Sequence, residues 1–497
     1  MNRFLYTARA VFMGLLVTQI IATLHVYLSN ADLYTTITAI SDAGYLAIPN
    51  RHVVSSLNEF GPAFYGAWFF TLSIGAGLSV FAVCCAWTWD RIFGRNCALL
   101  VPLVLLWLGT VVAVNSQGLS PVVTSYFLFT PLVVFSSALK WMPEEREERV
   151  WSNRLSHILP IVLLTIIWTA HADEFLFLDI RDYLLLSNPA GKKVDDFYYR
   201  YTLYPAQVFK SLDQKTLKTC HVASIKDQAL VRKIEDILIH YDYLPVAARA
   251  PIDLEIVASA DVLSFRHRGK TVLQTSYEEF FSQQNKMLTY FSAQTDRHGP
   301  FRQATILCLL LGFPITLYVM VFASIHFVFG FLVGPTRCSL VTGALCFLIG
   351  LALLAPLRIG RSKTTDAMEV SKALASEYWQ QRVTALRRVV DKGIEIGDLP
   401  AYHRMMISPH VPERYWLAKS LGESRDPGTY EDLVTLLDDP HPNVVSMAFH
   451  GLGQRGDKKA VSKILKKIET SGHWYNQWYA YRALRDLGWG QRPLSLQ

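Results

Sequence analysis

The chain has 497 residues, of which 51% are hydrophobic and only 18% are charged, and its mean hydropathy is +0.22. This balance excludes an ordinary soluble protein and is typical of a polytopic membrane protein with sizeable water-facing parts. The net charge of +7 is explained by basic residues at the cytoplasmic ends of spans, so we expect no nucleic-acid partner.

The first apolar run covers residues 11–28 and follows a short segment of ten residues that is basic through Arg3 and Arg9. It is either an uncleaved membrane span or a signal peptide cleaved near Ser29-Asn30-Ala31. The length of the run, the polar residues Gln19 and His25 within it, and the further spans that follow favour the uncleaved span. Residues 29–62 are then predicted to form a polar loop outside the membrane.

Four more apolar runs follow, at residues 63–87, 98–114, 121–139 and 156–170, and complete a predicted bundle of five spans over residues 1–170. The basic loop at residues 90–95 is expected to be cytoplasmic. The second span carries a face of small residues, which predicts close helix packing. These small residues are Gly66, Ser73, Gly75, Ala76, Gly77 and Ser79.

Residues 171–302 are polar and predict an extracytoplasmic α+β domain. Helical periodicity covers residues 230–239, and short strands are predicted at residues 254–257, 262–265 and 271–274. The tyrosine-rich run at residues 197–204 is also predicted to be a strand, which Pro205 ends.

Residues 303–358 hold two apolar runs, 304–328 and 338–357, separated by a turn at Gly334-Pro335-Thr336-Arg337. Each run reaches the roughly 20 residues that a membrane helix needs, so we predict a transmembrane hairpin and about seven spans in total. Counting from a cytoplasmic N-terminus places everything after the hairpin outside. Arg358, Arg361 and Lys363 disagree, because basic residues after a span favour the cytoplasm.

Residues 359–497 have a different character, with helix-turn-helix patterns at residues 411–437 and 442–468, a third start at 475–489, and an earlier degenerate copy at 381–390. The dipeptides Leu421-Gly422, Leu452-Gly453 and Leu487-Gly488 recur at intervals of 31 and 35 residues. The segment Asp438-Asp439-Pro440-His441-Pro442 separates two copies, since proline cannot continue a helix.

Over residues 375–490 this pattern resembles the HEAT family, in its short variety known as PBS-lyase-type HEAT-like repeats. The resemblance implies a C-terminal α-solenoid whose surfaces bind other proteins. The aromatic cluster at the third copy is heavier than the family pattern, and it either caps the preceding repeat or contacts a partner. The candidate partner-binding residues are Trp474, Tyr475, Trp478 and Tyr479.

Two groups of residues are candidate metal ligands. His171, Asp173 and Glu174 lie at the outer mouth of the fifth span, and Asp195 and Asp196 precede the tyrosine-rich run. A polar collar at a helix exit and an ordinary strand start explain the same residues, and neighbours in sequence do not face one another on a helix.

Other chemistry finds little support in the sequence. No CxxC, Cys/His zinc spacing, G-x-S-x-G, H-E-x-x-H or Walker A motif occurs. The spans carry no central Asp, Glu, Lys or Arg, which argues against an ion-coupled transporter. The intramembrane histidines His25, His157 and His326 lie near span ends, where paired haem ligation fits poorly, so we expect no cofactor.

Two functions are therefore expected for a multi-pass protein of a bacterial inner membrane, with the bilayer lipids around it. The first is a non-enzymatic interaction or assembly subunit that binds a protein partner through its HEAT-like repeats and α+β domain. The alternative is an envelope enzyme or transport component acting on lipid-linked or glycan substrates at the outer membrane–water interface.

Overall fold

The first helix, α1, spans Arg3–Asp42 and is about 60 Å long at roughly 1.5 Å per residue, twice the thickness of a bilayer core. The computed structural model describes residues 3–143, 150–170, 173–259, 262–332, 335–362 and 369–493. The predicted loop from residue 29 is wrong up to residue 42, because no glycine or proline interrupts that stretch. Gly44, with φ 81°, follows the end of the helix.

The apolar runs form long helices. After α1, the next four helices are α2 (Phe60–Arg91, with a wider turn at Thr71–Gly75), α3 (Cys97–Val114), α4 (Pro121–Trp141) and α5 (Val150–Thr169). Including the two hairpin helices below, six described helices are long and apolar enough to cross a membrane. The fifth predicted span, at residues 156–170, lies in α5, where the apolar helix Leu159–Thr169 is shorter than the other six.

The domain after α5 contains three longer helices, α6 (Pro189–Tyr201), α7 (Gln228–His240) and α8 (Gln284–Thr295). Five strands form its sheet: β1 (Lys218–Ala223), β2 (Tyr243–Pro245), β3 (Leu254–Ser259), β4 (Val262–His267) and β5 (Lys270–Ser276). Shorter helical segments are Leu176–Asp179, Ile180–Leu185, Leu203–Val208, Leu212–Gln214 and Tyr277–Ser282.

The sheet has the order β2-β1-β3-β4-β5. β1 pairs in parallel with β2 and β3, while β3, β4 and β5 are antiparallel neighbours. The three predicted strands and the helix at residues 230–239 are confirmed. β1 and β2 were not predicted, because β2 is only three residues long and the sequence of β1 does not alternate between apolar and polar residues.

The tyrosine-rich run is not a strand, and that prediction is wrong. Its residues lie at the end of α6 and in the next helical segment, Leu203–Val208. α6 begins after Asn188, whose side chain accepts a hydrogen bond of 2.8 Å from the backbone N–H of Gly191. In a helix, residues four apart share a face, so Phe197 and Tyr201 both pack against Tyr65 of α2. This packing outweighs the strand preference of aromatic residues, which depends strongly on context.

The hairpin consists of α9 (Gly299–Phe329, with a wider turn at Cys308–Gly312) and α10 (Pro335–Ser362). Small residues let α9 lie close to α2, as the face of small residues predicts. A Cβ atom added to Gly77 would overlap Cys308, and one added to Gly312 would overlap the backbone of Gly77. On another side of α2, a Cβ atom on Gly75 would lie 2.8 Å from the Cβ of Thr18 in α1.

The C-terminal region is a stack of helices that matches the predicted copies. They are α11 (Trp379–Lys392), α12 (Val411–Glu423), α13 (Tyr430–Thr435), α14 (Pro442–Arg455), α15 (Ala460–Thr470) and α16 (Trp474–Asp486). Shorter helical segments of this region are Val370–Leu374, Ile396–Asp398, Pro400–Met405, Pro427–Thr429 and Leu436–Asp438. Another short helix, Arg51–Val54, lies between α1 and α2.

This helical stack, residues 369–493, is called the repeat domain below, and it shares one apolar core with other parts of the chain. Ile40 and Ile48, at and beyond the end of α1, and Leu244 of β2 belong to the same buried cluster as its helices. Asn50 donates through Nδ2 to the carbonyl oxygens of Ile468, at 2.6 Å, and of Ser471, at 3.0 Å. The extension of α1, the sheet and the repeat domain therefore pack together.

We expect Gly77→Ala to lower the thermal stability of the detergent-solubilised protein, because the added methyl group would overlap Cys308 and overpacking costs about 1–3 kcal/mol. Gly109→Ala is the matched control in α3, since nothing lies within 4 Å of a Cβ atom there. Alanine favours a helix over glycine by about 1 kcal/mol, so this control should not lose stability. Equal losses in both variants would contradict the close packing of α2 and α9.

Candidate functional site

A buried ion-pair network joins the repeat domain to the segment after α5. The guanidinium of Arg387 in α11 donates to Oδ1 of Asp179 and to Oδ2 of Asp182, each at 2.7 Å. The indole N–H of Trp416 donates to the same Oδ2 at 2.8 Å, and Arg181 pairs with Oδ1 of Asp182. Asp179 and Asp182 are buried, and both carboxylates accept hydrogen bonds from Arg387, although Nε of Arg387 has no hydrogen-bond partner among the described residues.

The predicted pair Asp195 and Asp196 meets a residue that the sequence analysis did not single out, His441. Nε2 of His441 lies 3.9 Å from Oδ2 of Asp195 and 3.8 Å from Oδ1 of Asp196. Asp195 also accepts a 3.0 Å hydrogen bond from Nδ2 of Asn443. Burial raises the pKa of Asp195 to about 6, although Arg181 and the hydrogen bond from Asn443 oppose the shift.

Within the described ranges, one group of three or more His, Cys, Asp or Glu side chains lies close enough together to share a metal ion. It consists of Asp195, Asp196 and His441. Asp173 and Glu174 do not join it: Oδ1 of Asp173 accepts a 3.0 Å hydrogen bond from the backbone N–H of Phe175, and Glu174 is exposed. The remaining metal candidate, His171, lies outside the described residues, as does the side chain of the intramembrane histidine His157.

The predicted partner-binding rings lie at the start of α16, against α6 and the segment that follows it. Trp474 is buried and packs edge-on against Tyr204 at a centroid distance of 5.3 Å. Tyr475 lies 4.7 Å from the ring of Tyr199. Trp478 and Tyr479, half-buried, contact Tyr475. Two of these rings therefore contact the chain itself, and their binding to another protein stays a prediction.

A cavity of about 590 Å³ opens at one end of the helix bundle. We call this the domain end, where α1 passes Leu28, α4 begins at Pro121 and α9 begins at Gly299. Both apolar and charged side chains line the cavity. Its apolar residues include Leu28, Leu33, Ile37, Ile48, Val122, Val208, Leu212, Leu217, Ile252 and Trp474.

The charged residues that line the cavity are Asp32, Lys210, Lys215, Asp253, Arg268, Asp296 and Arg297. Several neutralise one another or a neighbour: Lys215 pairs with Asp253 at 2.6 Å, and Asp296 pairs with Arg302. Among the described residues, Lys210 has no carboxylate partner. Burial and the neighbouring Lys215 cation lower the pKa of Lys210 to about 8, which shows that its charge is poorly compensated.

Two histidines at this cavity have unused hydrogen-bonding capacity. The Nδ1 atoms of His25 and His298 are buried and have no hydrogen-bond partner in the described part of the chain. Burial lowers the pKa of His298, so its imidazole is neutral near pH 7. A buried polar atom without a partner is costly, and a ligand with polar atoms would remove this cost at both rings.

Arg387→Gln should destabilise the docking of the repeat domain by about 3–5 kcal/mol, because it removes the cation that pairs with both buried carboxylates, Asp179 and Asp182, although Arg181 still pairs with Asp182. Thermal unfolding of the full chain in detergent measures this loss. Lys392→Gln is the matched control, since Lys392 is exposed at the end of the same helix. Similar unfolding temperatures for both variants would show that the network does not hold the repeat domain.

Comparison with known families agrees with the helical stack. Residues 403–488 match HEAT repeats, which confirms the resemblance stated for the C-terminal region. No curated protein and no solved structure matches the chain. The repeat domain is thus similar to HEAT repeats.

Proposed function

We propose that this protein is a multi-pass membrane protein that binds an anionic amphiphile, of the lipid-linked phosphate class, in the cavity at the domain end. The observation that carries the proposal is Lys210, a half-buried cation without a carboxylate partner among the described residues, in a cavity that also has apolar walls.

The size and position of the cavity suit such a ligand. Its volume of about 590 Å³ lies within the usual range for small-molecule sites, roughly 300–1,000 Å³. Residues of α1 and α4 form part of the cavity wall. They lie where α4 begins and where α1 leaves the bundle. An apolar tail could stay in the bilayer beside these helices while a charged head group enters the cavity.

The polar groups suit an anionic head group. Lys210 offers an ammonium group, and Arg268 and Arg297 offer guanidinium groups that bind phosphate through two parallel hydrogen bonds. An anion would also offset the desolvation of Lys210, which is unfavourable for an unpaired cation. The proposed activity is binding and presentation of the amphiphile at the membrane surface.

For the location, we infer that the sheet and the repeat domain lie on the extracytoplasmic side of a bacterial inner membrane. The contact of Arg387 with Asp179 and Asp182 supports a location of the repeat domain and of the segment after α5 on the same side of the membrane. A bilayer cannot lie between groups in contact. The pair α9 and α10 would return the chain to that side. The basic residues Arg91, at the end of α2, and Arg95, after it, favour a cytoplasmic location for the opposite end of the bundle.

The test uses the full chain in detergent micelles and a fluorescent short-chain phosphatidylglycerol, with the matching phosphatidylcholine as the zwitterionic comparison. Lys210→Gln should weaken binding of the anionic lipid about tenfold or more, because a hydrogen bond to a charged group contributes about 1.5–3 kcal/mol. Lys226→Gln, at an exposed position, is the matched control. Equal affinities of the two variants would contradict the proposed site.

A pH series gives a second readout of the same site. Lys210 is charged below its pKa of about 8 and neutral above it, so affinity for the anionic lipid should fall as pH rises through this value. Lys210→Arg keeps its charge at higher pH and should retain affinity at pH 9. A fall of the same size in Lys210→Arg would exclude Lys210 as its cause.

The second candidate function, an interaction or assembly subunit with a protein partner, is favoured by a separate observation. Ile407 is 89% exposed and Tyr378 is 54% exposed. In sequence they lie close to His410 and Trp379, whose rings stack at a centroid distance of 5.0 Å. HEAT repeats commonly bind proteins through their surfaces. We propose that a partner would contact the repeat domain at this apolar spot.

A photo-crosslinking residue at position 407, in the full chain in native membranes, tests this second function. A discrete adduct with one partner is expected, identified by mass spectrometry and recovered again when that partner carries the tag. The same residue at Lys466, which is exposed on α15, is the control. Absence of an adduct, or the same adduct from both positions, would count against the partner surface.

A further inference from the structure

Unsatisfied polar atoms gather where α6 meets the start of α14. Nε2 of His441 and Oδ1 of Asn443 are both buried and have no hydrogen-bond partner in the described residues. His441 is 9% exposed and Asn443 is 2% exposed. Nδ1 of His473, close enough to His441 for their charges to interact, is a third such atom. Native proteins rarely leave buried polar atoms unpaired, so each calls for an explanation.

His441 presents its free nitrogen to two carboxylates that it does not reach. Nε2 lies 3.9 Å from Asp195 and 3.8 Å from Asp196, which is too far for a hydrogen bond. A metal ion about 2.1 Å from each ligand would hold tetrahedral ligand atoms about 3.4 Å apart. These two separations exceed those of a metal site by about half an ångström, and the three ligand atoms all lie within 4.8 Å of one another.

We propose that Asp195, Asp196 and His441 bind a divalent first-row transition-metal ion, and that this ion fastens the repeat domain to α6. Two carboxylate oxygens and one imidazole nitrogen suit zinc or manganese, and zinc should bind more tightly by the general order of metal affinities. One position of a tetrahedral ion remains for water or for Oδ1 of Asn443. This site is independent of the cavity and of the amphiphile.

The three proposed ligands differ in the contacts that position them. Asp195 is fixed by the hydrogen bond from Asn443, while Asp196 is more exposed and free to turn toward the ion. His441 precedes α14 at a repeat boundary, where its Nδ1 faces the backbone N–H of Asn443 at 3.4 Å. Metal binding at Nε2 moves the imidazole proton to Nδ1 and gives up this contact, which is already at the outer limit of a hydrogen bond.

The alternative is an ion pair in which protonated His441 faces the two carboxylates. Burial lowers the pKa of His441 although both Asp196 and Asp439 favour its charged form. A neutral imidazole is also the form that binds a metal ion. Nε2 of His441 stops short of hydrogen-bond distance from both carboxylates, which an ion pair does not explain, and the two explanations differ in a direct binding measurement.

The experiment uses the full chain, purified in detergent, treated with a chelator and dialysed. Zn²⁺, Mn²⁺ and Mg²⁺ are added separately, and binding is followed by calorimetry and by thermal unfolding. We expect one Zn²⁺ per chain, weaker binding of Mn²⁺, and a rise in unfolding temperature with metal concentration. Failure of both Zn²⁺ and Mn²⁺ to bind would overturn the proposal.

Variants locate the bound ion. His441→Gln and Asp195→Asn should each lower zinc affinity at least tenfold, while His403→Gln, at an exposed histidine paired with Asp432, should not change it. Asp196→Asn tests the site without disturbing a buried group, and it should also weaken binding. Zinc affinity unchanged in His441→Gln and in Asp196→Asn would overturn the site.

X-ray absorption at the zinc edge distinguishes this site from adventitious binding at a cysteine. The expected spectrum shows nitrogen and oxygen ligands at about 2.0–2.2 Å, with imidazole scattering. Sulfur at about 2.3 Å would assign the ion to a cysteine and contradict the proposal. Because no lipid is added, failure of the metal site leaves the amphiphile experiment unaffected.

Discussion

The contact of Arg387 with Asp179 and Asp182 is the interaction on which the arrangement of the whole chain depends. It joins the repeat domain to the segment directly after α5, although the two are separated in sequence by the sheet, α9 and α10. Because both carboxylates are buried, their cation cannot be lost without a large penalty. The repeat domain is thus held at the domain end of the bundle, where Trp474 and Tyr475 pack on the chain itself.

The buried polar groups at this end differ in how completely their hydrogen bonds are satisfied. Asp182 accepts hydrogen bonds from Arg387, Trp416 and Arg181, and such satisfied networks make a joint rigid. Lys210, and Nε2 of His441, lack partners in the described chain. The amphiphile and the metal ion proposed above are the partners whose chemistry fits these groups.

Local patterns predicted the elements well where one periodicity dominates. The helices of the repeat domain, the strands near residues 254, 262 and 271, and the face of small residues around Gly77 all depend on local residue type. The predicted strand at residues 197–204 failed because α6 uses its aromatic residues on two faces, with Tyr199 toward Tyr475 and Tyr201 toward Tyr65.

For the candidate site, Asp195 and Asp196 were identifiable as a carboxylate pair, but His441 lies far away in sequence within a repeat boundary.

The sequence by itself determined the apolar helices, the small sheet domain and the HEAT-like stack, because hydrophobic periodicity and turn residues act over a few neighbouring positions. Only the tertiary structure decided that α1 extends to Asp42 to join the core of the repeat domain, that His441 faces Asp195, and that Lys210 lines a cavity. These features depend on contacts between distant segments. The long-range contacts follow from the burial of a shared apolar core and of the Arg387 ion pairs. No local sequence pattern predicts such contacts.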